Sequence, residues 1–304
     1  MPIVLIPPSA PEYAQAWRMI FDEGQRHGND QWPWQAGGDS QDRIQKLLFG
    51  AFDTRRLVGA ALAVESPGKT ALVFFSSPES DSAARGSLLV SALRELVRTA
   101  RRRSLRLLEA LLVPNDSVRA GVLADVGFGY LTQLYYHRRP LSSKTSETES
   151  PSGLQWVAYE PRHEPLFRRA AELSYVQTQD CPELTDVRSS ADILAGHRAA
   201  GGDPFSLWCV ALRDGEPVGI LLLAPISHVR MLEIVYLGVA QPARGTGVAD
   251  ALLGRALRIA RERGDTGLAL AVDGRNQPAL RLYRRWNFVE TMRRDAWIAT
   301  PFGD

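Results

Sequence analysis

At 304 residues and 33.6 kDa the chain has room for about two domains of ordinary size, which excludes a disulfide-stapled miniprotein. Hydrophobic residues at 45% and charged residues at 23% are those of an ordinary globular chain, neither disordered nor collagenous. Thirty-six Lys+Arg against 34 Asp+Glu leave +2, too even a balance to steer nucleic acid or an anionic membrane through a broad field, so a charged ligand must be met by a local site.

The N-terminus, MPIVLIPPSAPEY, has no positive leader and breaks its short apolar run at Pro7 and Pro8, unlike a signal peptide. Apolar stretches such as Gly219 to Leu223 fall far short of the ~20 residues of a membrane helix. Two cysteines, Cys181 and Cys209, make no disulfide framework and fit a reducing compartment, so a cytoplasmic protein without membrane or nucleic-acid partners is expected.

Landmarks of the first half return in the second. Leu57-Val58-Gly59 matches Pro217-Val218-Gly219, Arg85-Gly86 matches Arg244-Gly245, Asn115 matches Asn276 and Phe128 matches Phe288, at offsets of 160, 159, 161 and 160. One fold therefore occurs twice. Residues 140–152 lack any apolar periodicity and read as a linker between a first domain, 1–139, and a second, 153–304.

In the second copy a strand is expected near Leu154 to Tyr159, then a helix from about Arg162 to Val176 and a loop through Asp180-Cys181-Pro182. A further helix from Ser190 to Ala200 has Ser189 or Ser190 to cap it and Gly201-Gly202 to end it. Ser206 to Leu212 and Val218 to Ala224 are β-rich and joined through Asp214-Gly215, a strong hairpin signal, so these strands are antiparallel. Met231 to Ala240 is a third β-run. It leads through Gly245-Thr246-Gly247 into a helix to about Arg263, whose Val248, Leu252, Ala256 and Ile259 form one apolar face. Leu268 to Val272 reads as a buried strand, Asn276 as the cap of a helix reaching Trp286 with Pro278 in its first turn, and Phe288 to Ala299 as a last strand. The fold class is α/β with a mixed sheet, antiparallel first and parallel at the later crossover, flanked by helices and present in tandem.

A strand, a glycine-rich loop and a helix N-terminus together present unpaired amides and a partial positive charge to phosphate, and Arg244-Gly245-Thr246-Gly247-Val248-Ala249 is such a junction. An ordinary glycine turn is the plain alternative. A dinucleotide-binding reading, with Asp273 ending the next strand, is disfavoured: its third glycine would fall at Asp250, and the preceding strand belongs to an antiparallel meander.

These residues resemble the GNAT superfamily of acyl-CoA-dependent N-acetyltransferases. Arg244-x-x-Gly247-x-Ala249 is similar to the family's Arg/Gln-x-x-Gly-x-Gly/Ala motif. Asn276, Ala279, Leu282-Tyr283 and Asn287-Phe288 are similar to its second signature, with Asn287 replacing the usual Gly; Asn tolerates the left-handed conformation. The resemblance covers nearly all of 153–304. It implies that acetyl-CoA is the co-substrate, that its diphosphate sits on amides from Arg244 through Gly245, Thr246, Gly247 and Val248 to Ala249, and that its pantetheine arm bonds backbone at Leu237 and Val239 between two splayed strands, with Asn276 nearby.

Acyl transfer to an amine needs a base for the amine, a polarised carbonyl and a protonated leaving thiol. Glu233, the lone acid in the β-run before the cradle, stands where the resemblance implies a general base, and Tyr283 where it implies a phenol that protonates the thiolate; the amide of Val239 would be the oxyanion donor. In the first copy, counting back places the base position at Val73 or Phe74 and the acid position at Val122, and bulky Leu88 replaces the second glycine. That copy reads as degenerate. The implied function is transfer of an acetyl or short acyl group to an amine of a small molecule or protein; the alternative is a non-catalytic acyl-CoA sensor.

Asp180 and Glu183, with Thr178 and Asp186, lie on the loop that walls the acceptor pocket in the family, and either hold a cationic amine or form a solvated acidic loop. His197 is near enough in sequence to join that pocket. Cys181 reads as a small packing residue or a reactive thiol, and Cys209 as core. The histidines, His27, His137, His163, His197 and His228, share no metal-ligand spacing, so no metal is expected. Arg98, Arg101, Arg102, Arg103 and Arg106 read as a solvated helix end rather than a nucleic-acid contact.

Overall fold

The structure, a computed structural model, describes residues 3–21, 45–78, 83–141, 153–201, 207–226 and 229–301. Most of the expected linker, His27 and His228 lie outside these. Its elements are β1 (Ile3–Leu5), α1 (Tyr13–Phe21), β2 (Lys46–Asp53), β3 (Arg56–Ser66), β4 (Thr70–Phe75), α2 (Ala83–Arg102), β5 (Leu107–Leu112), α3 (Ser117–Asp125) and β6 (Gly129–Pro140). Then follow β7 (Gln155–Ala158), α4 (Glu164–Tyr175), α5 (Ser190–Gly201), β8 (Trp208–Arg213), β9 (Glu216–Ile226), β10 (Met231–Val239), α6 (Val248–Arg263), β11 (Gly267–Asp273), α7 (Gln277–Arg285) and β12 (Val289–Ala299).

Two compact units result, Met1–Leu131 with Arg294–Asp304, and Thr132–Arg293. They are not the two sequence halves. The sheet of the first unit runs β1-β2-β3-β4-β5-β12, closed by the last strand of the chain, and that of the second runs β6-β11-β10-β9-β8-β7, closed by a strand that precedes the expected linker. β12 pairs antiparallel with β5 from Asp295↔Leu112 to Ala299↔Leu108, and β6 pairs antiparallel with β11 from Gly267↔Pro140 to Asp273↔Leu134. Of the two, only Phe288 to Ala299 is expected as a strand from the sequence, and alternation in any case does not say which neighbour a strand will take.

In the second unit the hairpin between β8 and β9 turns at Asp214 (φ 53°) and Gly215 (φ 80°), both left-handed as a tight two-residue turn requires. β9 pairs antiparallel with β10, and β10 pairs parallel with β11. Ser189 caps α5, its Oγ accepting from the Asp192 amide at 3.1 Å, and Asn276 caps α7, its Oδ1 accepting from the Ala279 amide at 3.2 Å. On α6, Val248, Leu252 and Ala256 are buried, as their spacing predicts. α6 packs so closely on the sheet that a Cβ on Gly219 would stand 2.8 Å from Val248 Cγ1. On the other face Phe167 of α4 packs with Tyr159 and Trp208, so the sheet is covered on both sides.

Candidate active site

β10 and β11 pair only from Met231↔Gly267 to Glu233↔Ala269, although β10 continues to Val239 and β11 to Asp273. Beyond Glu233 the two strands part. The register between β10 and β9 shifts between Ile234 and Tyr236, a bulge that leaves Val235 extra and re-aims the strand. The Ala240 amide donates to Val218 O at 3.0 Å, so alternation along β10 directs the amides of Leu237 and Val239 away from β9, into the opening.

The opening ends at the glycine loop. Gly245 (φ 78°) and Gly247 (φ 83°) are left-handed, and the first amide of α6 to reach a carbonyl is Ala251, donating to Gly247 O at 3.0 Å. Among the described residues the amides of Gly245, Thr246, Gly247, Val248, Ala249 and Asp250 have no backbone partner. Together with the positive end of a 16-residue helix they form an anion cradle. Parted strands with free inward amides, ending at such a cradle, fit a long thiol arm terminated by a diphosphate.

Two side chains expected at the ligand are engaged elsewhere. The Arg244 guanidinium donates to the carbonyls of Ser174 (3.0 Å), Val176 (2.7 Å), Gln177 (2.9 Å) and Val239 (3.3 Å). Asn276 is occupied as the cap of α7 and by a bond to Asp180. A cation that does stand beside the cradle is Arg213, whose Nη1 donates to Thr246 Oγ1 at 3.2 Å. Its position at the turn end of β8 gave no sequence signal.

Glu233 stands where β10 and β11 separate, half-buried, and burial raises its carboxyl above the ordinary range. It makes no hydrogen bond among the described residues. Tyr236 shares its face of β10, and the Tyr236 hydroxyl lies 2.7 Å from Ser174 Oγ, which itself donates to Ala171 O at 2.7 Å. Tyr236 must therefore be the donor. Its ring packs between Tyr175 (centroids 5.6 Å) and His197 (5.7 Å, interplanar 24°). Burial, aided by Arg188, pushes the His197 imidazole down to about 4, so it is neutral near pH 7. Tyr283 is buried on α7 against Phe288 and His137; burial, then the charge of Asp180, raises its phenol, which keeps the proton it would donate.

The acidic loop is exposed, yet two of its acids are held in place. Asp180 Oδ1 accepts from the Asp273 amide at 3.2 Å, and Glu183 takes both terminal nitrogens of Arg275 at 2.6 and 2.9 Å. Asp273, fully buried, accepts from Thr132 Oγ1 (2.6 Å), the Cys181 amide (3.0 Å), the Arg275 amide (2.8 Å) and the Arg275 side chain (2.7 Å at Nη2). Its place in this lattice explains an acid at the end of β11 without a ribose to bind. Cys181 is half-exposed and left-handed (φ 44°), and burial raises the Cys209 thiol to about 11. Among the described residues no group of His, Cys, Asp and Glu is placed to hold a metal ion.

The first unit repeats the frame without the chemistry. β4 and β5 also part after three pairs, the last being Leu72↔Glu109, the counterpart of Glu233↔Ala269. The base position is therefore Leu72, not Val73 or Phe74. Phe128 donates to Leu123 O as Phe288 donates to Tyr283 O, so the acid position is Leu123, not Val122. The offset between the copies is 161 at the base position and 160 at the acid position, so no single count finds both, and only beyond the bulge at Val235 does it reach 162. Where the second unit has Tyr236 and Ser174, the first packs Phe74 against Phe21 (5.5 Å) and Phe21 against Trp17 (4.9 Å), both pairs tilted by 47°. Arg119, at the position of Ala279, reaches over the Phe75 ring to Ser77 Oγ (2.7 Å). Of the basic run, Arg98 and Arg102 pair with Glu95 and Arg103 pairs with Glu65, as suits a solvated helix end.

Residues 171–288, which span the parted strands, the cradle and Tyr283, match the acetyltransferase (GNAT) family. That segment of the second unit is similar to the GNAT acetyltransferases. A mycothiol acetyltransferase of Thermomonospora curvata is 29% identical over 198 residues, 64% of this chain and 65% of that protein. N-acetyltransferase family 8 member 2 of Rattus norvegicus is 33% identical over 105 residues, 33% of this chain and 45% of that one. The matches thus span 65% and 45% of these relatives' lengths. Over nearly whole chains the fold is shared with two solved structures. One is a GCN5-related N-acetyltransferase from Sphaerobacter thermophilus, with TM-score 0.63, 18% identity, and 98% of this chain and 96% of that one covered. The other is a tandem GNAT protein from the clavulanic acid biosynthesis pathway, with TM-score 0.60, 16% identity and 99% of both chains covered.

Proposed function

We propose that the second unit of this protein transfers an acetyl or other short acyl group from coenzyme A directly to an amine of a small molecule or protein. The observation that carries the reading is the parting of β10 from β11 immediately after Glu233, with the unpartnered amides of Gly245 to Asp250 at its far end. Those amides and Arg213 hold the diphosphate; the inward amides of Leu237 and Val239 hold the thiol arm; the Val239 amide donates to the thioester oxygen as negative charge develops there. Glu233, its carboxyl raised by burial, takes the proton of the attacking amine, directly or through water. Tyr283 gives its proton to the departing sulfur. Tyr175, Tyr236 and His197 form the aromatic wall of the acceptor pocket, with Asp180 at its edge favouring a cationic amine.

Calorimetry of coenzyme A with the whole chain, followed by thiol release from acetyl-CoA across a broad amine panel, tests this. Binding with turnover that Glu233→Gln sharply lowers supports the enzyme. Binding without turnover across the panel supports an acyl-CoA sensor, and absence of binding removes both.

A further inference from the structure

Arg244 is the first residue of the phosphate motif, yet its guanidinium turns from the cradle toward the end of α4. The last carbonyls of any helix lack intrahelical donors and carry the negative end of the dipole. Arg244 meets this need: its three bonds to Ser174, Val176 and Gln177 close the C-terminus of α4, while its Nε holds Val239 at the end of β10. Ser174, the helix residue it grips, is the acceptor for the Tyr236 hydroxyl, and Gly238 lets α4 approach so closely that a Cβ there would lie 2.6 Å from Ser174 Oγ. One planar fork thus joins the residue before Gly245 to the residues that set Tyr175 and Tyr236.

We propose that Arg244 is a positioning residue that couples the filling of the anion cradle to the order of the acceptor wall, through the C-terminus of α4. It does not neutralise phosphate; Arg213 stands where that charge is needed. The inference rests on the functional reading above and adds a direction to it: donor binding at Gly245 to Ala249 stiffens Ser174 to Cys181 before the amine arrives. Lysine cannot replace arginine here, because an ammonium cannot span four carbonyls held in a fork.

The test compares coenzyme A with pantetheine, the same thiol arm without phosphates, in calorimetry and in amide hydrogen exchange of the whole chain. In the wild type, coenzyme A is expected to slow exchange across residues 174–181. Arg244→Met is expected to abolish that slowing and to weaken both ligands by a similar factor, with no rescue by Arg244→Lys. Arg213→Met serves as the matched control and is expected to weaken coenzyme A by roughly tenfold more than pantetheine, the size of one lost charge-assisted bond. The proposal is overturned if Arg244→Met behaves as Arg213→Met is expected to and Arg244→Lys restores affinity. It is equally overturned if bound coenzyme A leaves exchange at 174–181 unchanged in the wild type, a readout that needs no variant to fold. Failure of the wild type to bind coenzyme A at all overturns the functional reading as well.

Discussion

The carboxylate of Asp273, at the end of β11, accepts the backbone amide of Cys181 at 3.0 Å, tying together two loops 92 residues apart in sequence. Burial alone would raise this carboxyl. The bonds from Arg275, Thr132 and the Cys181 amide prevail and bring it down to about 2, from 3.8 in a free side chain. Because the folded value lies below the unfolded one, the stabilisation is complete above pH 3.8 and is lost as pH falls from there toward 2. Asp273→Ala should destabilise the protein by about 3 kcal/mol near pH 7, since it orphans several buried donors, and the difference from wild type should shrink toward pH 2. Urea titrations at several pH values measure both. A difference that stays constant with pH would refute this account of the site.

Glu233→Gln should cost turnover on the order of 10²-fold while leaving coenzyme A affinity nearly intact, because the amide cannot take the amine's proton. In the wild type kcat/KM should fall on the acid side as pH drops through the raised pKa of Glu233, at a pH above the ordinary carboxylate range. Water substituting fully for the base would show as an acid limb that persists unchanged in the variant.

Tyr283→Phe keeps the ring that packs on Phe288 and His137 but removes the hydroxyl proposed as proton donor. Turnover should fall about 10²-fold with little change in melting temperature, and the loss should be smaller for thioesters whose thiol leaves more readily as the anion. Equal losses across a series of leaving thiols would assign Tyr283 to packing.

Much of this site was legible in the residues because it depends on local rules. Asn276 followed by Pro278 announces a helix cap, Asp214-Gly215 a tight hairpin, and Asn287 is left-handed (φ 56°) where the family has glycine. Two glycines between a β-run and an apolar helical face announce the cradle. What was hidden depends on groups distant in sequence. The motif places Arg244 beside the loop but does not say that its side chain reaches Gln177, 67 residues earlier. Nor do local patterns join Glu183 to Arg275, or show that a bulge at Val235 shifts the internal repeat by one residue. Strand pairing is the extreme case, since β6 and β12 show the same alternation whichever sheet they complete.

Gly238→Ala should damage stability and acceptor use together. Its new Cβ would stand 2.6 Å from Ser174 Oγ, 2.7 Å from Ser174 Cβ and 2.8 Å from Tyr236 Cε1, so α4 must lift from β10. Overpacking of this kind costs about 1–3 kcal/mol. The movement also pulls Ser174 from the Tyr236 hydroxyl, so KM for the amine should rise more than the affinity for coenzyme A falls. Thermal melts and steady-state kinetics on one preparation separate the two effects. Unaltered amine KM in a destabilised variant would detach the α4 contact from the acceptor wall.

Cutting the chain at the expected linker should not release a stable catalytic half. A fragment of residues 153–304 keeps β7 to β11 but lacks β6, leaving the Gly267–Asp273 edge of β11 without the strand that pairs with it over seven residues. It also carries β12, whose partner β5 is absent, so the fragment presents two unpaired edges, both prone to association. The loss reaches the site, because Thr132 donates to Asp273 and His137 packs on Tyr283 from the missing strand. A fragment of residues 129–293 restores all three contacts and ends before Asp295, where the pairing of β12 with β5 begins. The longer fragment should be monomeric with a cooperative melt, and the shorter one aggregated or non-cooperative, by gel filtration and circular dichroism. A 153–304 fragment that melts like the intact chain would mean that β6 is dispensable to the sheet it completes.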